Sequence, residues 1–222
     1  MKHIKDIHDS ERSVEIPFTC GAIITHCRKN GVILDVGGIP TNPTMNNPIK
    51  SLIHFGCYDY RVADFRGGEY QGEFIEYDFK GEKFDTVMFL SSLEHFPMCT
   101  EDTRHGGNGR DGIAENSLDW QYKEGEDRRG YQKALSILKD KGKIILTVPF
   151  GKPLWQHYHQ NYNWEKLLKL TKGSTIIEKE TFTLRDQSKP FYWEQTEPED
   201  MEDIIFDDRA HGVGCFVMQK DD

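Results

Sequence analysis

The run Gly31-Val32-Ile33-Leu34-Asp35-Val36-Gly37-Gly38 closes a β-branched stretch with an acid and two glycines. A buried parallel strand that ends this way can bring its backbone close to a ligand, because glycine has no Cβ and ligands of open α/β sheets sit at the strands' carboxyl ends. Two later acids share this placement: Asp64 after Tyr60-Arg61-Val62-Ala63, and Asp78 after Glu73-Phe74-Ile75-Glu76-Tyr77. Carboxylates there can accept hydrogen bonds from ribose hydroxyls or an exocyclic adenine amine. Phe79, next to Asp78, offers a ring to an adenine face. The pattern points to a nucleotide-like ligand. Asp35-Val36-Gly37-Gly38-Ile39-Pro40 lacks the full G-x-G-x-x-G spacing, so a dinucleotide pyrophosphate on a helix N-terminus is poorly matched.

A fourth strand, 85–91, delivers Ser91-Ser92-Leu93-Glu94-His95-Phe96 to the same edge. His95 is the first candidate for a proton acceptor, since imidazole takes a proton near neutral pH. A structural histidine capping the next segment is the competing reading. After a fifth strand, Trp155-Gln156-His157-Tyr158-His159 places His157 and His159 on the expected ligand side, as a second base or as walls for an acceptor. The alternating histidines also invite a metal reading with His95 or Glu94. The five cysteines never form a C-x-x-C pair, and no metal is assigned.

The composition narrows what such a site can serve. A chain of 222 residues, 36% hydrophobic and 29% charged, fits one globular domain spanning 1–222. No apolar run approaches the roughly 20 residues needed to cross a bilayer, and Met1-Lys2-His3-Ile4-Lys5-Asp6 lacks a secretion signal's apolar stretch, so a cytoplasmic location is expected and no membrane partner. Scattered cysteines, odd in number, suit a reducing compartment. A net charge of −9, with acids crowded between Glu194 and Asp208, argues against nucleic acid, whose phosphates need a basic face. A small or neutral acceptor fits better.

The elements that position these residues alternate. Strands are expected at 31–38, 60–64, 73–78, 85–91 and 143–149, and helices at 46–55, 131–138 and from 164. Such alternation implies a mainly parallel sheet covered on both faces. Two late strands, near 175–184 and 214–219, have no helical crossover between them and are expected to pair as a hairpin at the sheet edge. Two long irregular segments remain. The first, 97–130, contains Asp119-Trp120-Gln121-Tyr122 and reads as a partly ordered lid. The second, 186–211, is an acidic and aromatic insertion in which Phe191-Tyr192-Trp193-Glu194 is expected to close over an acceptor, to join two copies as a homodimer, or to be buried in a local cluster.

In order along the chain, Val32-Ile33-Leu34-Asp35-Val36-Gly37-Gly38, Val62-Ala63-Asp64-Phe65-Arg66, Phe84 to Phe96, and Leu138 to Pro149 resemble the class I S-adenosylmethionine-dependent methyltransferases. The resemblance covers about 31–150, the cofactor-binding core, and the late hairpin agrees with it. It implies a Rossmann-like α/β fold with a central, mostly parallel seven-stranded sheet, an antiparallel last strand and helices on both faces. It also implies S-adenosylmethionine as cofactor, with Asp35, Gly37 and Gly38 beside its amino-acid part, Asp64 on the ribose, Asp78 on the adenine, and Ser91 on the cofactor side of strand four. Leu93-Glu94-His95 directly after that strand resembles small-molecule methyltransferases. Leu146-Thr147-Val148-Pro149-Phe150-Gly151 with the later histidines resembles, more loosely, members that modify sugars or polysaccharides. The chain departs from the family at Ile39-Pro40-Thr41-Asn42-Pro43, where two prolines stiffen the loop and remove two donors. That departure keeps a catalytically degenerate scaffold protein as an alternative. A nicotinamide-dependent oxidoreductase is a third reading, disfavoured by the incomplete glycine fingerprint.

Overall fold

In the computed structural model, residues 10–38, 47–65, 67–98, 123–156, 159–186, 192–205 and 211–222 are described. The β-branched run forms strand β1 (Val32–Val36) and is followed by helix α2 (Asn47–Phe55) and strand β2 (Asp59–Asp64), which pairs in parallel with β1. Strand β5 (Phe84–Leu90) lies parallel on the other side of β1, and β6 (Leu138–Pro149) lies parallel beyond it. All four strands therefore deliver their carboxyl ends to one edge. The Lys141-Gly142 turn lies inside β6, where residues 139–142 stand opposite Asp85 alone and Lys141 adopts φ +56.

The third strand is not at 73–78. Its place beside β2 is taken by β4 (Tyr70–Gln71), after the two-residue strand β3 (Gly67–Gly68), while 74–76 forms a turn. Phe74, Tyr77 and Phe79 do not follow the two-residue alternation that a half-buried strand needs. Their rings gather with those of Tyr70 and Phe84 in one cluster, with centroids 5.0–5.9 Å apart.

The late strands pair antiparallel as expected, β9 (Ser174–Asp186) with β11 (Gly212–Lys220). β11 does not lie at the edge but is inserted between β9 and β6, antiparallel to both. Strand β10 (Tyr192–Gln195) adds an eighth member outside β9, so the order is β10-β9-β11-β6-β5-β1-β2-β4. A short separate hairpin pairs β7 (Trp155–Gln156) with β8 (His159–Gln160).

Both faces of the sheet are covered. Helix α3 (Glu126–Ile137) and helix α4 (Trp164–Leu170) place Tyr131, Ala134, Leu135, Leu167 and Leu170 against Leu34, Phe89, Leu146 and Phe216. On the opposite face α2 is joined by helix α1 (Arg12–His26), which the local sequence pattern did not reveal. Pro17, Gly21 and several β-branched residues make α1 a poor helix by propensity. Burial of Ile16, Ala22 and Ile23 against Ile33, Met88, Ile145 and Val217 supplies the compensating tertiary stabilisation. Among the described residues no helix is long and apolar enough to cross a membrane.

Candidate functional site

At the carboxyl edge the ends of β1, β2 and β5 are tied together around the glycine turn. The Gly37 N–H donates to the Ala63 carbonyl at 2.8 Å, joining β1 to β2. The Ser92 hydroxyl donates to the Val36 carbonyl at 2.6 Å, joining β5 to β1. Gly37 has φ +80, and a Cβ there would come within 2.6 Å of the Ser92 Cβ. A Cβ on Gly38 would lie 2.3 Å from an Asp35 carboxylate oxygen. Both positions therefore require glycine, for conformation at the first and for close approach at the second.

Asp35 and Asp64 are buried at this edge, and the Asp35 carboxylate accepts a 2.5 Å hydrogen bond from the Tyr60 hydroxyl. Burial pushes the Asp35 carboxyl up to about 6, against the pull of the Tyr60 bond and of Arg12, with Asp64 adding repulsion. Asp64 accepts the Gly72 N–H on its backbone carbonyl at 3.2 Å, which holds the end of β2 to the turn after β4.

The residues that follow β5 split between inside and outside. Ser91 adopts φ +44, its N–H reaches Thr147 on β6 at 3.0 Å, and its hydroxyl donates to Glu15 of α1. A 3-10 turn (Leu93–Met98) then buries Leu93 and Glu94, leaving Glu94 2% exposed, and turns His95 outward with its side chain 46% exposed. Glu94 Oε1 and His95 Nε2 are 3.8 Å apart. Burial drives the Glu94 carboxyl up to about 8. Repulsion from Glu15 and Glu11 adds to this, while its own backbone N–H and Arg12 oppose it.

Arg12 and Glu15 were not anticipated as site residues. Arg12 pairs with Glu15 at 2.6 Å and reaches the Leu90 carbonyl at 3.5 Å, so α1 is pinned to the end of β5. Burial works against the Arg12 charge, but Glu15, Glu11 and Glu94 together raise its pKa. The available signal was periodic: positions 12, 15, 16, 19, 22 and 23 form one helical face, with a charged pair at its start. A second buried polar group lies beyond the 3-10 turn. There Asp127, at the start of α3, takes hydrogen bonds from Gln160 and from the Tyr162 hydroxyl, and Lys166 donates to Gln160 at 2.6 Å.

Other expected site residues lie elsewhere. Asp78 is exposed and accepts the Lys80 N–H at 2.8 Å, closing a local turn, because the strand that was to carry it is absent. The Phe79 ring is 6% exposed within the aromatic cluster, beneath Lys133 at 5.5 Å, and so is not presented to the open edge. His157 and the 39–43 loop lie outside the described residues, as do 99–122 of the expected lid and 187–191 and 206–210 of the insertion. Of His159 only the backbone, in β8, is described. Among the described residues no three His, Cys, Asp or Glu side chains gather as metal ligands. A groove of about 930 Å³ beside Trp164, Leu168, Lys172 and Ile177 lies at the opposite end of the sheet, where Ser174 pairs with Lys220.

No family model matches the chain, and no curated protein matches it. Solved structures do. The [4+2]-cyclase SpnF is 13% identical with a TM-score of 0.53, over 93% of this chain and 80% of that one. The N-methyltransferase NodS from Bradyrhizobium japonicum WM9, in complex with S-adenosyl-L-homocysteine, is 9% identical with a TM-score of 0.51, over 99% and 90%. The MccD protein is 12% identical with a TM-score of 0.50, over 96% and 100%. Identities this low speak to architecture alone. With its parallel strands ending on one edge and an antiparallel strand inserted beside β6, the chain has the Rossmann-like fold of the class I methyltransferases.

Proposed function

We propose that this chain is an S-adenosylmethionine-dependent methyltransferase acting on a small molecule, as the Leu93-Glu94-His95 segment suggests, with a sugar or polysaccharide precursor as the class suggested by Leu146-Thr147-Val148-Pro149-Phe150-Gly151 and the histidines after it. The observation that carries this reading is the Gly37-Gly38 turn, pinned between the ends of β1, β2 and β5 beside two buried carboxylates. A backbone cradle with no room for a Cβ, next to groups that accept hydrogen bonds, fits the amino-acid and ribose parts of the cofactor. The backbone of Gly37 and Gly38 with Asp35 would hold the first part, and Asp64 the second.

When bound, S-adenosylmethionine supplies an electrophilic methyl group, which an acceptor lone pair takes as the carbon–sulfur electrons pass to sulfur. The chain's own part is to position the acceptor and remove its proton. His95, exposed at the rim, passes that proton to solvent.

Isothermal titration with S-adenosylhomocysteine tests the reading. The wild type is expected to bind, and Asp64→Ala, titrated at a temperature where it is fully folded, to weaken binding about tenfold or more, ~1.4 kcal/mol. Failure of the wild type to bind would overturn the reading and favour the degenerate scaffold.

A further inference from the structure

Two buried side-chain oxygens at this edge, Glu94 Oε2 and Asn161 Oδ1, have no hydrogen-bond partner, although both residues are about 2% exposed. Buried acceptors are almost always satisfied, so each orphan marks a place where a donor belongs. The two are on elements that pack together: Glu94 in the 3-10 turn after β5, and Asn161 directly after β8, which contacts that turn. Tyr162, next to Asn161, feels the charge of Glu94.

The surroundings of Glu94 are acidic. Facing it are Glu15 and Arg12 from α1 and Glu11 just before that helix, with His95 3.8 Å away on its own turn and the Tyr162 phenol from beyond β8. Arg12 is already committed to Glu15, so it does not supply the donor that Glu94 Oε2 lacks. A hydroxyl group brings a single donor to these two acceptors, whereas an ammonium brings three and can satisfy both.

We propose, on the methyl-transfer reading, that the acceptor is an amine whose nitrogen is held by Glu94 and Asn161. Glu94 gives up its resident proton when the ammonium binds beside it; the ammonium N–H bond then breaks as a Glu94 O–H bond forms, which leaves the nitrogen with a free lone pair. The proton then leaves through His95 at the rim. The skeleton that carries the amine is open, and an amino sugar would satisfy both this inference and the acceptor class above.

Saturation-transfer NMR with butylamine and cyclohexylamine against 1-butanol and cyclohexanol tests this, on wild type and Glu94→Gln, with and without S-adenosylhomocysteine. The amines are expected to bind the wild type and the alcohols not, with amine binding falling about tenfold or more in Glu94→Gln. S-adenosylhomocysteine affinity and melting temperature are read alongside, and the S-adenosylhomocysteine affinity is expected to be equal in the two proteins. Equal binding of alcohols, amine binding untouched by the substitution, or no amine binding overturns the proposal. So does a Glu94→Gln variant that loses S-adenosylhomocysteine, since Glu94 would then belong to the cofactor's hold. If S-adenosylhomocysteine binds neither protein, the methyl-transfer reading fails separately, and the comparison of amines with alcohols still decides whether this is an amine site.

Discussion

Replacing Glu94 with glutamine should stabilise the protein near neutral pH. Glu94 is 2% exposed, and burial lifts its carboxyl from 4.5 to about 8. A folded-state pKa above the unfolded one means that the native state binds the extra proton. The stabilisation from that proton is complete below about pH 4.5 and is lost as pH rises through 8. At pH 7 the unfolded chain gains from ionising over a gap of about 2.5 units, and at 1.36 kcal/mol per unit this is about 3 kcal/mol. Glutamine has the same shape and no proton to lose. The variant should therefore match the wild type within ~1 kcal/mol at pH 4.5 and exceed it by about 3 kcal/mol at pH 7. For a chain of this length the gain at pH 7 corresponds to a melting-temperature rise of roughly 6–12 °C. Asp35 titrates in the same sense but is present in both proteins and cancels in the difference. Urea unfolding of both proteins at pH 4.5, 6 and 7 measures the effect. Parallel profiles, or a variant that is less stable at pH 7, would refute the assignment of a buried, proton-holding carboxyl.

Gly37→Ala should cost about 1–3 kcal/mol of stability by urea unfolding and should also weaken S-adenosylhomocysteine binding by titration, because it strains a φ of +80 and drives a Cβ onto Ser92. Arg12→Met leaves Glu15 buried without its ion-pair partner and should cost about 3–5 kcal/mol. Adding Glu15→Gln to Arg12→Met should recover most of that loss, and urea unfolding of the single and double variants checks both statements.

The parts of the site that could be read along the chain are those set by local chemistry. Asp35, Gly37 and Gly38 were legible because the strand, the acid and the turn are contiguous, and the structure needs glycine there for reasons visible within a few residues. The strand expected to carry Asp78 is absent because the aromatic residues around it pack on one another rather than pair beside β2. Helix α1 stayed hidden because its local propensity is poor and its stabilisation comes from the sheet beneath it, so Arg12 and Glu15 could not be placed. Glu94 lay in plain view, yet the adjacent histidine drew the chemical argument. In a tight three-residue turn, neighbouring side chains point in different directions, and only tertiary packing decides that Glu94 faces the interior while His95 faces water. A carboxylate in solution is a weak base, and the same group sealed beside Glu15 is a strong one. The candidate for proton transfer thus moves one residue, from the side chain whose ordinary pKa suits the task to the one whose surroundings make it suit.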